Sequence, residues 1–275
     1  MLSPGSTIAG YEVERVVGAG GIGILYRARQ LRLGRPVALK LVDPEVASDP
    51  VIRERLRREA RTVAALEHPN IVPLYGAGEE NGTVYIVTRW VEGTELGNLI
   101  QRDGSLEPER AARIAAQIAS ALELAHEKGL VHRDVKASNV IVAAEDHVYL
   151  TDFGLAKRAG TASGLTGMDQ MLGTIDYLAP EQIEGNLPDA RGDVYGLACV
   201  LFEMLTGAPP FADQKGGMAK MWAHVNAEVP SARERRPDVP PALDDLIRSA
   251  MAKSPDARPT APAFRAALRT ATDSS

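Results

Sequence analysis

The residues on either side of position 90 repeat with different periods, and that break limits the fold more than any other feature of the chain. From 11 to 42, apolar and polar residues alternate, with Val, Ile, Tyr and Leu abundant and turns at 18–23 and 33–36. A period of two puts every second side chain on one sheet face, so this stretch reads as antiparallel strands. Residues 51–67 change to a helical repeat, with Leu56, Val63 and Leu66 at spacings of seven and three. The run 69–90 adds two more strands around a Glu-Asn-Gly turn. Beyond Gly93 the pattern is helical: 106–128 is Ala-rich and amphipathic, with Ile114, Ile118, Leu122 and Ala125 on one face and Gly129 at the exit. Two short strands, 139–143 and 147–151, precede a Gly/Ser/Thr-rich stretch too long for a simple connector. The rest, 181–270, is helical with Pro-rich joints at 209–210, 237–241 and 255–262. The expected class is α+β: a small five-stranded antiparallel β lobe with one helix (1–88), a hinge (89–94) and a larger, mainly helical lobe (95–275).

Composition removes several functions. With 45% hydrophobic and 24% charged residues the chain is an ordinary globular one, and its net charge of −5 gives no attraction to nucleic acid or an anionic membrane. The arginines at 53, 55, 57, 58 and 61 are interleaved with Glu54 and Glu59, as on a solvated helix face. One cysteine, Cys199, allows no internal disulfide and suits a reducing compartment. It lies in the apolar run 194–202, which is far shorter than the ~20 residues of a membrane span, and the N-terminus carries no signal pattern. The chain is expected to be soluble, without a membrane segment.

Asp152 stands at the end of the apolar stretch Val148–Thr151, where an isolated carboxylate is costly unless a metal or partner compensates it. The polar cluster at 132–139 suggests the compensation. Its Asp134 can accept a proton, Lys136 can steady developing negative charge, and Asn139 offers an amide oxygen to a hard cation. A hairpin of the two strands would bring Asn139 beside Asp152. Two such oxygen donors, completed by phosphate oxygens, suit Mg²⁺. The stretch Gly18-Ala19-Gly20-Gly21-Ile22-Gly23 fits the phosphate-cradling pattern G-x-G-x-x-G. Alone it serves two unrelated nucleotide folds, and glycines also make plain turns. A dinucleotide fold would need a helix directly afterwards and an acid about twenty residues on, whereas Ile24-Leu25-Tyr26 reads as strand and the next strand delivers Lys40. Lys40 alone could be a snorkelling surface lysine. Glu59, on the same helical stripe as Leu56 and Val63, supplies the opposite charge on an adjacent element, and an ion pair explains both.

The ordered set Gly18–Gly23, Lys40, Glu59, His132-Arg133-Asp134, Asn139, Asp152-Phe153-Gly154 and Ala179-Pro180-Glu181 resembles the eukaryotic-type protein kinases over residues 11–270. The texture is most similar to the bacterial receptor-type Ser/Thr kinases. The resemblance implies the bilobal kinase fold with an activation segment at 152–181. It also implies phosphoryl transfer from ATP to protein Ser/Thr hydroxyls with Mg²⁺, or Mn²⁺ in its place. By the same resemblance Gly18, Ala19, Gly20, Gly21 and Gly23 fold over the nucleotide, and Val17, Leu25, Ala38 and Ile141 enclose the adenine. Thr88 is the gatekeeper, the backbones of Arg89 and Val91 pair with the base, and Lys40 with Glu59 holds the α- and β-phosphates. Asp134 and Lys136 are then catalytic, and Asn139 and Asp152 bind metal. Asp193 braces the catalytic loop and Glu181 pairs with Arg258. Thr166 is the expected autophosphorylation site, with Thr161 and Ser163 as lesser ones, and Arg133 receives the phosphate. The resemblance allows a homodimer of kinase domains for trans-autophosphorylation. It places the chain in the cytoplasm, as a soluble kinase or as the intracellular domain of a longer membrane-anchored receptor. A pseudokinase of the same fold would lack one of Lys40, Glu59, Asp134, Asn139 or Asp152, and all are present. His68, His126, His147 and His224 have no metal-ligand spacing and read as structural or surface, Trp90 as packing at the hinge and Trp222 as packing a helix of the larger lobe.

Overall fold

The computed structural model describes residues 1–20, 23–47, 50–153, 175–186 and 189–273. They fall into two compact units, one made of Met1–Glu67 and Ile71–Glu92, the other of His68–Asn70 and the residues from Gly93 onward.

The first unit is an antiparallel sheet of six strands, one more than the alternation suggests. Its strands are β1 (Thr7–Ile8), β2 (Tyr11–Gly20), β3 (Gly23–Gln30), β4 (Arg35–Val42), β5 (Leu74–Glu80) and β6 (Thr83–Arg89). The spatial order is β1-β2-β3-β4-β6-β5. Strand β1 is only two residues long, too short to carry a period. Its segment covers the sheet edge through Val13 N–H to Ser6 O (2.9 Å) and Gly5 N–H to Val13 O (2.8 Å). One face buries Val13, Tyr26, Ala28, Val37, Leu39 and Val87. On the other, Val42, Val84 and Ile86 cluster with Leu56 of helix α2 (Pro50–Ala64). A four-residue helix, α1 (Pro44–Ala47), precedes α2. Helix α2 stops short of Leu66, which is nonetheless buried and held by a tight turn from its N–H to Val63 O. Two guanidinium groups lie over the Trp90 ring, Arg15 at 5.5 Å and Arg27 at 5.2 Å from its centre, and the indole N–H donates to Glu92.

The second unit holds β7 (Thr94–Glu95), α3 (Leu96–Asp103), α4 (Pro108–Glu127), β8 (Val140–Val142), β9 (Val148–Leu150), α5 (Pro180–Ile183), α6 (Ala190–Thr206), α7 (Gly217–Asn226), α8 (Ala232–Arg235), α9 (Pro241–Ala250) and α10 (Ala261–Asp273). The three short strands form a sheet in the order β7-β8-β9. Helix α6 is buried from Gly192 to Leu205, as its unbroken apolar run requires. Asp189 caps its first turn and Gly207, at φ 79°, closes its last. Cys199 lies within α6, fully buried, and burial pushes its thiol well above the usual range, so it is an inert packing residue. Among the described residues no helix is long and apolar enough to cross a membrane. The reading of Trp222 is corrected: with Met218 one turn earlier it lies on the outer face of α7, the two being 63% and 78% exposed.

Two buried polar pairs hold the helices together. Arg258 and Glu181 meet through two bonds of 2.7 Å, and Arg258 also donates to the Ala252 and Lys253 carbonyls. Both side chains are nearly inaccessible, so removing one leaves an uncompensated buried charge. Arg258→Ala is therefore expected to cost about 3–5 kcal/mol, read as a lowered urea midpoint. His224, fully buried on α7, accepts or donates at Nδ1 with the Tyr195 hydroxyl at 2.8 Å. Burial, with Lys253 and Lys220 nearby, lowers its imidazole from 6.5 to about 4. The unfolded chain takes up this proton first as pH falls. The stabilisation is thus complete above pH 6.5 and is lost as pH falls to about 4. It amounts to about 3 kcal/mol. Unfolding titrations of wild type and His224→Asn at pH 7 and pH 4 should differ by about that much in their pH dependence.

Candidate active site

In the first unit, register brings the expected nucleotide residues onto one sheet face. Leu25 lies opposite Lys40 and Ala38 opposite Thr88, and Lys40 also faces Ile86. Directly opposed residues share a face, as do residues two apart on a strand, so Leu25, Ala38, Lys40 and Thr88 form one patch. Helix α2 packs against the same face through Leu56. Lys40 and Glu59 are both half-buried, one on β4 and one on α2. Val17 and Gly18 to Gly20 close β2, and Gly23 opens β3, with φ 145° and no room for a Cβ beside the Leu41 carbonyl. Gly21 and Ile22 lie outside the described residues. Arg89 ends β6, and Val91 follows it, half-buried.

The second unit assembles the catalytic cluster. Asp134 Oδ2 lies 3.1 Å from Lys136 Nζ and accepts from Asn139 Nδ2 at 3.0 Å, and the same amide donates to the Asp134 carbonyl at 2.8 Å. Beneath the loop, Asp193 of α6 is 2% exposed. Its Oδ2 accepts from His132 N–H at 2.8 Å and its Oδ1 from Arg133 N–H at 2.6 Å, while His126 Nε2 meets Oδ2 at 2.8 Å. Arg133 is held at φ 66°, a left-handed conformation that a non-glycine residue keeps only under constraint. Gly196, one turn after Asp193, lets α6 approach the loop: a Cβ there would lie 2.8 Å from the Val135 carbonyl oxygen. A serine in its place would push helix and loop apart.

His132 joins this loop to the Asp152 strand. Its Nδ1 accepts from Asp134 N–H at 3.2 Å, which assigns the proton to Nε2, and Nε2 donates to the Thr151 carbonyl at 2.8 Å. The ring also packs on Phe153 at 4.6 Å. From the other side, Thr151 donates its N–H and its hydroxyl to the Asn139 carbonyl at 2.9 and 3.2 Å. The pairing of β8 with β9 thus sets Asn139 against Thr151, the residue before Asp152. Asp152 sits at φ 54°, a second strained residue at the same place. Ile141, the expected base-pocket residue of this unit, is the middle residue of β8 and packs close to Gly93.

One functional candidate escapes sequence reasoning. The Glu95 carboxyl, on β7, is pushed up, first by burial and then by the charge of Asp152. Nothing in its setting, Thr94-Glu95-Leu96 before a helix, distinguishes it from an ordinary surface acid. Downstream, Tyr177 donates to Glu203 of α6 at 2.7 Å, and Asp176 pairs with Lys220 of α7 at 2.6 Å, which ties the segment before α5 to two helices. The Glu181–Arg258 and Asp193 contacts match expectation. Thr161, Ser163 and Thr166 fall outside the described residues. Among those described, no cluster of three or more His, Cys, Asp or Glu has metal-binding geometry.

A family model described as the protein kinase domain matches residues 11–268. Similar proteins include the serine/threonine-protein kinase PknE of Mycobacterium tuberculosis, 42% identical over 254 residues, or 92% of this chain and 44% of the relative. PknD of the same organism is 44% identical over 256 residues, covering 92% and 38%. The chain thus spans less than half the length of these curated relatives. Among solved structures, the M. tuberculosis PknI kinase domain superposes with a TM-score of 0.80 at 29% identity, covering 99% of this chain and 100% of that one. Rad53 in complex with AMP-PNP matches with a TM-score of 0.78 at 25% identity, over 93% and 64%.

Proposed function

The chain belongs to the protein kinase family, and from that premise we propose that it transfers the γ-phosphoryl group of ATP to Ser and Thr hydroxyls of proteins. The observation that carries the proposal is the convergence of Asp134, Lys136 and Asn139 within 3.1 Å, on a loop fixed by Asp193. That geometry offers a carboxylate to accept the hydroxyl proton, with an ammonium beside it to offset charge on the transferring group. Serine/threonine-kinase relatives at 42–44% identity support the same substrate class.

In this reading the substrate hydroxyl gives its proton to Asp134 as its oxygen bonds to the γ-phosphorus, and the bond to the β,γ-bridging oxygen breaks to leave ADP. Lys40, held by Glu59, steadies the α- and β-phosphates, while Gly18, Ala19, Gly20, Gly21 and Gly23 cover them. Val17, Leu25, Ala38 and Ile141 enclose the adenine, with Thr88 at its back and the Arg89 and Val91 backbones at its edge. Asn139 and Asp152 would hold Mg²⁺, or Mn²⁺, which when bound screens the phosphate charge. The protein residues position reactants more than they form bonds, which is the usual division of labour in phosphoryl transfer.

The lobes run 1–88 and 95–275 around a hinge at 89–94, with the activation segment at 152–181. Thr166, ahead of Thr161 and Ser163, takes phosphate from a second copy of the kinase and pairs with Arg133. The chain acts as the intracellular kinase portion of a longer protein, in keeping with its covering less than half of its relatives' length.

Asp134→Asn should lower kcat for transfer of radiolabelled phosphate to a basic protein substrate by about 10²–10⁴-fold, with the KM for ATP little changed. An unaltered rate in that variant would remove Asp134 from the mechanism.

A further inference from the structure

Strand β9 is an edge strand of three residues, and it carries Asp152 only two positions beyond its end. A strand this short, paired on one side to β8, has too few bonds to fix its own register. Its other edge does not meet another strand. It meets two side-chain amides and one peptide. Val148 N–H donates to Gln117 Oε1 at 2.9 Å, Val148 O accepts from Asn70 Nδ2 at 2.9 Å, and Leu150 N–H donates to Asn70 O at 2.8 Å. Three of the four backbone groups that an added strand would meet at Val148 and Leu150 are taken.

The two amides also fix one another. Asn70 Nδ2 donates to Gln117 Oε1 at 2.9 Å, and Gln117 Nε2 donates to the Asp146 carbonyl at 2.8 Å, just ahead of β9. Their O and N orientations follow, because Val148 N–H needs an acceptor and the Asp146 and Val148 carbonyls need donors. Asn70 is 6% exposed, and its N–H is bonded to His68 Nδ1 at 3.1 Å. His147 Nε2, at 3.0 Å from the Pro69 carbonyl, adds a further tie. Gln117 projects from α4, the long helix of this unit, so β9 is referenced to the most extended rigid element near it.

We propose that Asn70 and Gln117 are positioning residues that stand in for a missing fourth strand, setting the register of β9 and thereby the place of Asp152 relative to Asn139. The clamp touches neither nucleotide nor metal. It acts through Leu150 and Thr151, whose own bonds to Asn70 and Asn139 hold the strand from opposite sides. A one-residue slip would turn Asp152 away from the Asn139 side, because side chains alternate along a strand. The inference rests on the reading that Asp152 and Asn139 hold a divalent cation.

The test compares the full chain as wild type, Gln117→Leu, Gln117→Glu, Arg110→Ala and Asp152→Asn. Mn²⁺ binding is followed by electron paramagnetic resonance with a non-hydrolysable ATP analogue present, and amide exchange is followed at Val148 and Tyr149. Gln117→Leu is expected to weaken Mn²⁺ binding about 10-fold, as losing a support of a ligand does. It should also speed exchange at Val148 more than at Tyr149, which faces Ile141 of β8, while leaving affinity for the metal-free analogue unchanged. Gln117→Glu keeps the acceptor for Val148 N–H and should recover most of the Mn²⁺ binding. Arg110→Ala breaks the Asp146 side-chain contact at the hairpin tip and should leave Mn²⁺ binding as in wild type. Loss of Mn²⁺ in Asp152→Asn with none in Gln117→Leu overturns the clamp alone. Unchanged binding in Asp152→Asn overturns the metal reading and the clamp's purpose with it. Should Gln117→Leu fail to fold, rapid exchange of Val148 in wild type, or Gln117→Glu binding no better than Asp152→Asn, overturns the proposal.

Discussion

Asp193 holds a charged carboxylate almost wholly out of water, and the second unit is arranged around satisfying it. A buried carboxylate without partners would cost several kcal/mol. Here two backbone N–H groups of the catalytic loop and the His126 ring supply them. The benefit runs both ways, since hydrogen bonds to a charged group are worth roughly 1.5–3 kcal/mol each. That is enough to hold Arg133 at φ 66°, a conformation costing on the order of 1–3 kcal/mol for a residue with a Cβ. The loop's shape, and with it the aim of Asp134, is set from beneath by a helix side chain and not by the loop's own preferences.

The second strained residue, Asp152, is held by a different device. Its strand has β8 on one side and Asn70 with Gln117 on the other, and Thr151 is bonded in turn to Asn139 and His132. The backbone leading to both candidate metal-binding residues is therefore held by its neighbours' hydrogen bonds. Preorganisation of this kind matters most for a reaction whose catalysis is positioning and charge compensation, because ligands that must be gathered at binding cost affinity.

Much of this was readable because it is periodic or chemically odd. The alternation in 11–42 and the helical repeat in 106–128 give β2 to β4 and α4, and Lys40 and Asp152 stand out as charges at apolar strands. What was not readable has physical reasons. Strand β1 has two residues and no period. Helix α2 ends before Leu66 because a tight turn, not a further helical turn, buries that side chain. Trp222 reads as a packing residue by its type, yet α7 presents it outward, because the buried residues of that helix are Ala223 and His224. Asn70 and Gln117 are 47 positions apart, and nothing local to either betrays a shared strand edge.

Helix α6 links these local arrangements to the stability of the core. Asp193, Gly196 and Glu203 fall within about 80° of one another around the helix at 100° per residue, so they form one face. That face supplies the carboxylate under the catalytic loop, the gap that admits Val135 and the acceptor for Tyr177. The other faces are buried among apolar side chains, and the helix has no exposed residue from Gly192 to Leu205. A polar stripe on an otherwise apolar buried helix is a costly choice unless every group on it is used. Here each is used, and the catalytic loop and the segment before α5 hang from the same rigid rod. Displacing either loop then requires disturbing a helix buried from Gly192 to Leu205, which is why short, strained and polar segments can keep a single geometry.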